Sequence, residues 1–337
     1  MSRTGPASIL TATAGCAEGL MSAMPEASAT FGLRVLRGSS DLATRFQLDF
    51  DQKHFRRNYR QPVLVSAQAA ASAGEMERWF GGGGARLLGY DVAARALNRV
   101  AAEGAEPLFA RAVLLHGQAR VRAQLAEGVT DACLAGDTVL QEDRAESGAG
   151  PCAAVMAVGV VERRHMMNRR RFRAGDAVLA VGSDRLWPPL AERAAALGPE
   201  DKTVQRRSKQ MSDALPHLLP VPVMAGQIRS VLRRYTVKRV VHAMTPVEGD
   251  GLVAALSRLT GDSFEVRPAR GERVFSEAIA LLRERGLAGD GADEGHLRGI
   301  GMLIVAGQPF AEAIARRLRR QGLPTWQYGR LATTGAP

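Results

Sequence analysis

The stretch Asn98-Arg99-Val100-Ala101-Ala102-Glu103-Gly104-Ala105-Glu106-Pro107-Leu108-Phe109 (N-R-V-A-A-E-G-A-E-P-L-F) joins the end of one pattern to the start of another. Upstream, Tyr90–Glu103 sets Val92, Ala96, Leu97 and Val100 on one face at helical spacing. Downstream, Pro107–Leu115 is a short apolar run of the kind that forms a buried strand. The same handover recurs along the chain. Strands are predicted over Pro62–Ser66, Pro107–Leu115, Ala153–Glu162, Ala177–Gly182, Arg239–Met244 and Gly301–Ala306, with a weaker one over Trp326–Leu331. Helices are predicted over Tyr90–Glu103, Val121–Leu134, Ser276–Arg285 and Phe310–Gln321. The last two crowd arginines into their final turns, where cations complement the helix dipole, and Gly286 and Gly322 follow as terminating residues. Alternating strands and helices predict an α/β (α+β) fold.

At 337 residues the chain has room for two domains of ordinary size, and 46% hydrophobic with 23% charged residues is the composition of a globular protein. No run approaches the roughly 18–20 apolar residues that span a bilayer. The first thirty residues lack a basic start and a compact apolar block, and they contain Glu18 and Glu26. Residues 1–30 are therefore expected to be a frayed leader and not a signal peptide. Cys16, Cys133 and Cys152 stand far apart with no C-x-x-C, which argues against a zinc site and a disulfide framework and suits a reducing cytoplasm.

The net charge of +11 comes almost entirely from arginine; Lys53, Lys202, Lys209 and Lys238 are the only lysines. Broad arginine enrichment alongside abundant Ala and Gly reads as compositional drift ahead of a nucleic-acid surface. The densest run, Arg163–Arg173, holds six arginines and lies between two predicted strands, so a solvated connector is expected there before a polyanion site. Residues 198–225 are expected to form a long loop.

Motifs of common catalytic types are missing: no H-E-x-x-H, no G-x-x-x-x-G-K-[ST] and no G-x-S-x-G. Gly81–Gly84 could present backbone N–H groups to a phosphate but carries no following Lys or Ser/Thr, so a flexible loop is the simpler identity. Asp290, Asp293, Glu294 and His296 could hold a hard cation, but a solvated acidic turn is the expected identity, as it is for Glu142, Asp143 and Glu146.

The opening stretch resembles the N-D-x-x-x-x-G-A-E-P-L-F-F segment of phosphoribosylformylglycinamidine cyclo-ligase (AIR synthase). Further segments follow in the same order. Tyr59–Ser66 (Y-R-Q-P-V-L-V-S) resembles the family's strand entering its ATP loop, and Gly89–Ala93 (G-Y-D-V-A) resembles G-x-D-L-V-A. Ala135–Thr138 (A-G-D-T) is similar to G-G-E-T, and Val158–Glu162 to the end of a central strand. Ala174–Ser183 is similar to the start of the second domain, Gly299–Met302 to G-x-G-M, and Gly322–Leu331 to the closing A-W-x-I-G segment. The resemblance covers roughly residues 55–331. It implies a two-domain AIR-synthase-like fold: an ATP-binding-type N-terminal domain over 31–165 and an α/β C-terminal domain over 172–333, assembled as a homodimer through the first. It also implies ATP-dependent closure of an imidazole ring, with Mg²⁺ neutralising the triphosphate.

The polar positions depart from the family. Its loop S-G-T-D-G-V-G-T-K stands opposite Ser66-Ala67-Gln68-Ala69-Ala70-Ala71-Ser72-Ala73-Gly74, so the carboxylate is Ala69, the lysine is Gly74 and two glycines are Ala70 and Ser72. Added Cβ atoms restrict positive φ and close phosphate approach. The aspartate of N-D is Arg99, a cation where a metal ligand is needed, although a guanidinium can meet a phosphate directly. H-S-N-G reads Leu186-Trp187-Pro188-Pro189, and H-x-T-G-G-G reads His242-Ala243-Met244-Thr245-Pro246-Val247. What remains is Asp91, Asp137 and His242 as catalytic candidates and Asn98 and Thr138 as cofactor-binding candidates, each with a plain structural identity as helix-end, turn or core residue. No metal ligand set is retained. The resemblance with these departures implies a catalytically lapsed member acting as a binding or regulatory subunit. It would be cytoplasmic, as a homodimer or beside a paralogue, with no cofactor required and a nucleotide as the ligand class to test. Neither membrane nor nucleic acid is expected as partner. The alternative is a divergent but active cyclo-ligase using ATP and Mg²⁺ with rebuilt phosphate contacts.

Overall fold

A computed structural model describes residues 35–36, 45–48, 50–52, 55–57, 59–71, 84–146, 152–182, 222–248, 251–269 and 300–335. The chain divides into two compact units, Met1–Asn58 and Tyr59–Pro337. In the first, β1 (Val35–Leu36) pairs antiparallel with β2 (Arg45–Phe46), and β3 (Phe50–Gln52) pairs antiparallel with β4 (Phe55–Arg57).

The second unit holds two sheets. Its first stretch runs β5 (Pro62–Ala71), α1 (Gly84–Ala102), β6 (Glu106–Leu115), α2 (Ala119–Ala135), β7 (Val139–Glu146) and β8 (Cys152–Glu162). These strands form a four-stranded sheet in the order β5-β8-β6-β7, antiparallel except for the β6–β7 pair. The second stretch runs β9 (Ala177–Gly182), α3 (Ala225–Arg234), β10 (Val241–Pro246), α4 (Gly251–Thr260), β11 (Phe264–Pro268), β12 (Ile300–Ala306), α5 (Ala311–Arg320) and β13 (Thr325–Thr333). Its five-stranded sheet has the order β10-β12-β9-β13-β11, antiparallel throughout. The Arg163–Arg173 run bridges the two stretches as short 3-10 turns over Arg163–His165 and Arg169–Arg171.

Helix α1 is the hub. Leu88, Val92, Ala93, Ala96, Leu97, Val100 and Ala101 are all buried, and the helix packs against α2, β5, β8, β10 and α3. Burial of each large apolar side chain contributes about 2 kcal/mol. Glycine sets the closeness of the α1–α2 crossing. A Cβ on Gly89 would stand 2.1 Å from the Leu125 carbonyl oxygen, and one on Gly128 would stand 1.9 Å from that of Arg86. The G-Y-D-V-A segment thus has a steric reason. Gly104 turns the chain from α1 into β6 at φ +80, a conformation that L residues disfavour.

The opposite face of the first sheet is open. Leu64 is 59% exposed, Val113 43% and Met156 40%, on the three neighbouring strands β5, β6 and β8. Alternation along β5 follows from the two-residue period of a strand with one covered face.

Several elements differ from the sequence reading. Helix α1 begins at Gly84 and not Tyr90, because Ala85 and Leu88 also meet the core. The segment holding Glu142, Asp143 and Glu146 is strand and not an acidic turn, drawn into the ladder beside β6. Helices α3 and α4 and strand β11 were not anticipated; short amphipathic helices among loop-like residues leave a weak periodic signal. Ser276–Arg285, Gly286, the cluster Asp290, Asp293, Glu294 and His296, and Leu186–Pro189 lie outside the described residues, as do residues 1–30.

Candidate functional site

The residues opposite the family's phosphate loop continue a strand. Strand β5 runs through Ala71, with Ala69, Ala70 and Ala71 paired to Val155, Ala154 and Ala153. Alanine tolerates extended backbone, and Ala69 is buried. Ser72, Ala73 and Gly74 lie outside the described residues.

Arg99 reaches this strand from the last turn of α1. Its Nε donates to Glu248 Oε1 at 2.7 Å, one terminal nitrogen meets Glu248 Oε2, and the other donates to the Gln68 carbonyl. The forked guanidinium matches a carboxylate in two-point fashion, which an aspartate at this position could not do. Beyond the pair opens a cleft of about 450 Å³, lined among others by Arg99, Glu103, Asn168, Arg169, Glu248 and Arg258. That volume is in the range of small-molecule sites. Arg169 donates to the Arg258 carbonyl, and Arg258 to the Pro246 carbonyl at 3.3 Å. A magnesium triphosphate does not suit these residues: the cation would meet a guanidinium where a carboxylate is needed, and Glu248 is already bound to it. Among the described residues no group of three or more His, Cys, Asp or Glu is placed to hold a metal ion.

The five candidate residues have separate partners. Asp91 is buried and pairs with Arg95 one turn on, at 3.0 Å. Asn98, 2% exposed, accepts from the Met224 N–H at 2.8 Å and donates to the Pro222 carbonyl at 3.0 Å, tying α1 to the entry of α3. Asp137 holds φ 52, the left-handed region that a short polar side chain tolerates, and accepts from Arg229 at 3.1 Å. Arg229 also donates to Glu106 at 2.9 Å; burial opposes its charge, but the two carboxylates raise its pKa on balance. Thr138 donates to the Gly136 carbonyl at 3.0 Å. His242 Nδ1 lies 2.9 Å from Asp176 Oδ2, and the same oxygen accepts from the Arg173 N–H at 2.9 Å. The His242 carbonyl accepts from the Asn168 N–H at 2.9 Å, so this residue fastens β10 to the basic connector.

Glu248, Arg229, Asp176 and Glu106 were missed in the sequence. Each acts through a partner between 66 and 149 positions away, and no local spacing marks such a pair. Cys133 is buried and its thiol is pushed up to about 12, an inert core residue.

Comparison with known proteins places this frame. No protein-family model matches the chain. Among solved structures, thiamine-monophosphate kinase from Stenotrophomonas maltophilia K279a superposes with a TM-score of 0.62 at 20% identity, covering 90% of this chain and 92% of that one. Hydrogenase maturation protein HypE in complex with ATP gives 0.57 at 14% identity, covering 84% and 81%. The fold is that of the AIR-synthase-like proteins. By sequence, phosphoribosylformylglycinamidine cyclo-ligase of Anaeromyxobacter sp. strain K is 26% identical over 337 residues, covering 92% of this chain and 90% of that one. The enzyme of Symbiobacterium thermophilum is 26% identical over 292 residues, covering 81% of each. Within that fold class the chain is similar in sequence to enzymes named phosphoribosylformylglycinamidine cyclo-ligase, at about a quarter identity over most of its length.

Proposed function

We propose that this protein is a catalytically lapsed AIR-synthase-like subunit that binds or regulates and does not close an imidazole ring. The observation that carries the reading is Arg99: at the position of the family's N-D aspartate, its guanidinium is bound by Glu248 and by the Gln68 carbonyl. A site built to hold Mg²⁺ around a triphosphate needs oxygen ligands there. Loss of a single charge-stabilising group typically costs about 10²–10³ in rate, and effects of groups that act together do not multiply. Replacement of the carboxylate, the loop lysine and two glycines still removes most of what phosphoryl transfer requires. No bound cofactor is required in this reading.

The open sheet face suits a homodimer or a pairing with a paralogue. Leu64, Val113 and Met156 are apolar, and burying them against a second sheet gains the hydrophobic energy that water contact forfeits. The functional halves are 31–165 and 172–333; each sheet of the second unit draws its strands from one side of the basic connector only. No helix among the described residues is long and apolar enough to cross a membrane, and a cytoplasmic site of action fits this reading.

The competing reading is a divergent active cyclo-ligase, favoured by the alignment over 92% of the chain with enzymes of that name. Expression in a purine-auxotrophic strain lacking its cyclo-ligase separates the two. No growth is expected; growth overturns the lapsed reading.

A further inference from the structure

On the side of α3 facing the basic connector is a second, smaller cavity of about 210 Å³. It is distinct from the Arg99 cleft except for a shared wall at Met167. Its floor is apolar: Val160, Ile228, Leu232, Tyr235 and Val241 line it. Its rim is charged. Four guanidinium groups, from Arg171, Arg229, Arg233 and Arg239, face two carboxylates, from Glu106 and Glu162.

Both carboxylates are already engaged. Glu106 accepts from Arg229 at 2.9 Å, with Arg233 at 3.8 Å. Glu162 accepts from the backbone N–H groups of Arg60 and Gln61 at 3.0 and 2.6 Å. Arg171 and Arg239 have no ion pair within 4.0 Å among the described residues, and burial, then the nearby Arg171 and Arg164, lowers the Arg239 pKa. Nε2 of His165, also in the rim, is buried without a hydrogen-bond partner among the described residues. Burial and the neighbouring Arg164 and Arg239 hold its pKa below the ordinary histidine value, so the ring is neutral at pH 7. A buried ring nitrogen without a partner is costly unless something meets it, and two unpaired guanidinium groups beside it suit an anion.

We propose that this cavity binds a small phosphate monoester, its apolar body on the Val160–Ile228–Tyr235 floor and its phosphate between Arg171, Arg239 and His165. The two rim guanidinium groups outside the described ion pairs, Arg171 and Arg239, suit the roughly −1.5 to −2 of such a phosphate at pH 7. The volume is below the ~300 Å³ at which drug-sized sites begin, which restricts the body to about one ring. The inference does not depend on whether the Arg99 cleft is catalytically lapsed.

The test is calorimetric titration of the full chain at fixed ionic strength with phenyl phosphate, inorganic phosphate and phenol. Saturable binding of phenyl phosphate, at least about tenfold tighter than either fragment, is expected. The Arg171→Gln, Arg239→Gln double variant should lose about tenfold or more, and Glu248→Gln should change nothing. In the ligand-free double variant the melting midpoint should hold or rise, since like charges are removed. In nitrogen-resolved spectra phenyl phosphate should move the His165 ring signal. Absence of saturable binding, equal affinity for inorganic phosphate, indifference to the double variant, or a fall in its ligand-free melting midpoint would overturn the proposal.

Discussion

Asn98 and Arg99 are neighbours on one helix, but they stand in regions shaped by different constraints. Asn98 points into the packed side of α1, where both of its polar ends close on the backbone at Pro222 and Met224. Arg99 points to the cleft, where a guanidinium replaces an acid and takes Glu248 and the Gln68 carbonyl as partners. On the packed side, backbone geometry dictates the residue: Gly89 and Gly128 admit no Cβ, and Gly104 needs positive φ. On the cleft side, only a bound ligand would dictate it. A chain can therefore keep the packing residues of a fold while the polar ones change, provided that each new charge finds a partner.

The contrast breaks most sharply at the helix crossing. Gly128→Val drives a branched side chain into the Arg86 carbonyl, and a loss of about 3 kcal/mol or more is expected, seen as failure to fold or a large drop in the urea midpoint. Next is Asn98→Ala. It leaves the Met224 N–H and the Pro222 carbonyl unpaired in the core, with an expected cost of about 2–3 kcal/mol by denaturant melt. On the cleft side, Glu248→Gln keeps the shape and one acceptor for Arg99, so about 1 kcal/mol or less is expected. A larger loss than that of Asn98→Ala would erase the distinction between the two regions.

The smallest effect is a pH slope at the end of β8. Although its slight burial works the other way, hydrogen bonds from the Gln61 and Arg60 backbone, with Arg164 and His165 nearby, lower the Glu162 pKa. The folded state then holds its proton less tightly than the unfolded one, so stability rises with pH between the two values and is lost as pH falls through the folded value. Urea midpoints between about pH 3 and 6 should fall on acidification less steeply in Glu162→Gln than in the parent.

Much of the frame was legible because it is written locally. Ala177–Gly182 is strand at the expected bounds, and Gly322 follows α5 at φ +82 as a terminating residue should. The Asn98–Phe109 handover from helix to strand is in place. The short helices α3 and α4 were illegible because ten residues give barely three turns of periodicity. The cleft was half legible: the change at Arg99 stood out against a resemblance, but its partner Glu248 is 149 positions away. Likewise nothing around His242 or Asp137 announces Asp176 or Arg229, since long-range ion pairs leave no spacing in the chain.

The most direct measurement is incubation of the pure protein with formylglycinamidine ribonucleotide and Mg²⁺-ATP, following ADP and aminoimidazole ribonucleotide together beside an authentic cyclo-ligase. The expected result is no product above the protein-free control. Stoichiometric formation of both products at rates approaching the authentic enzyme would contradict it.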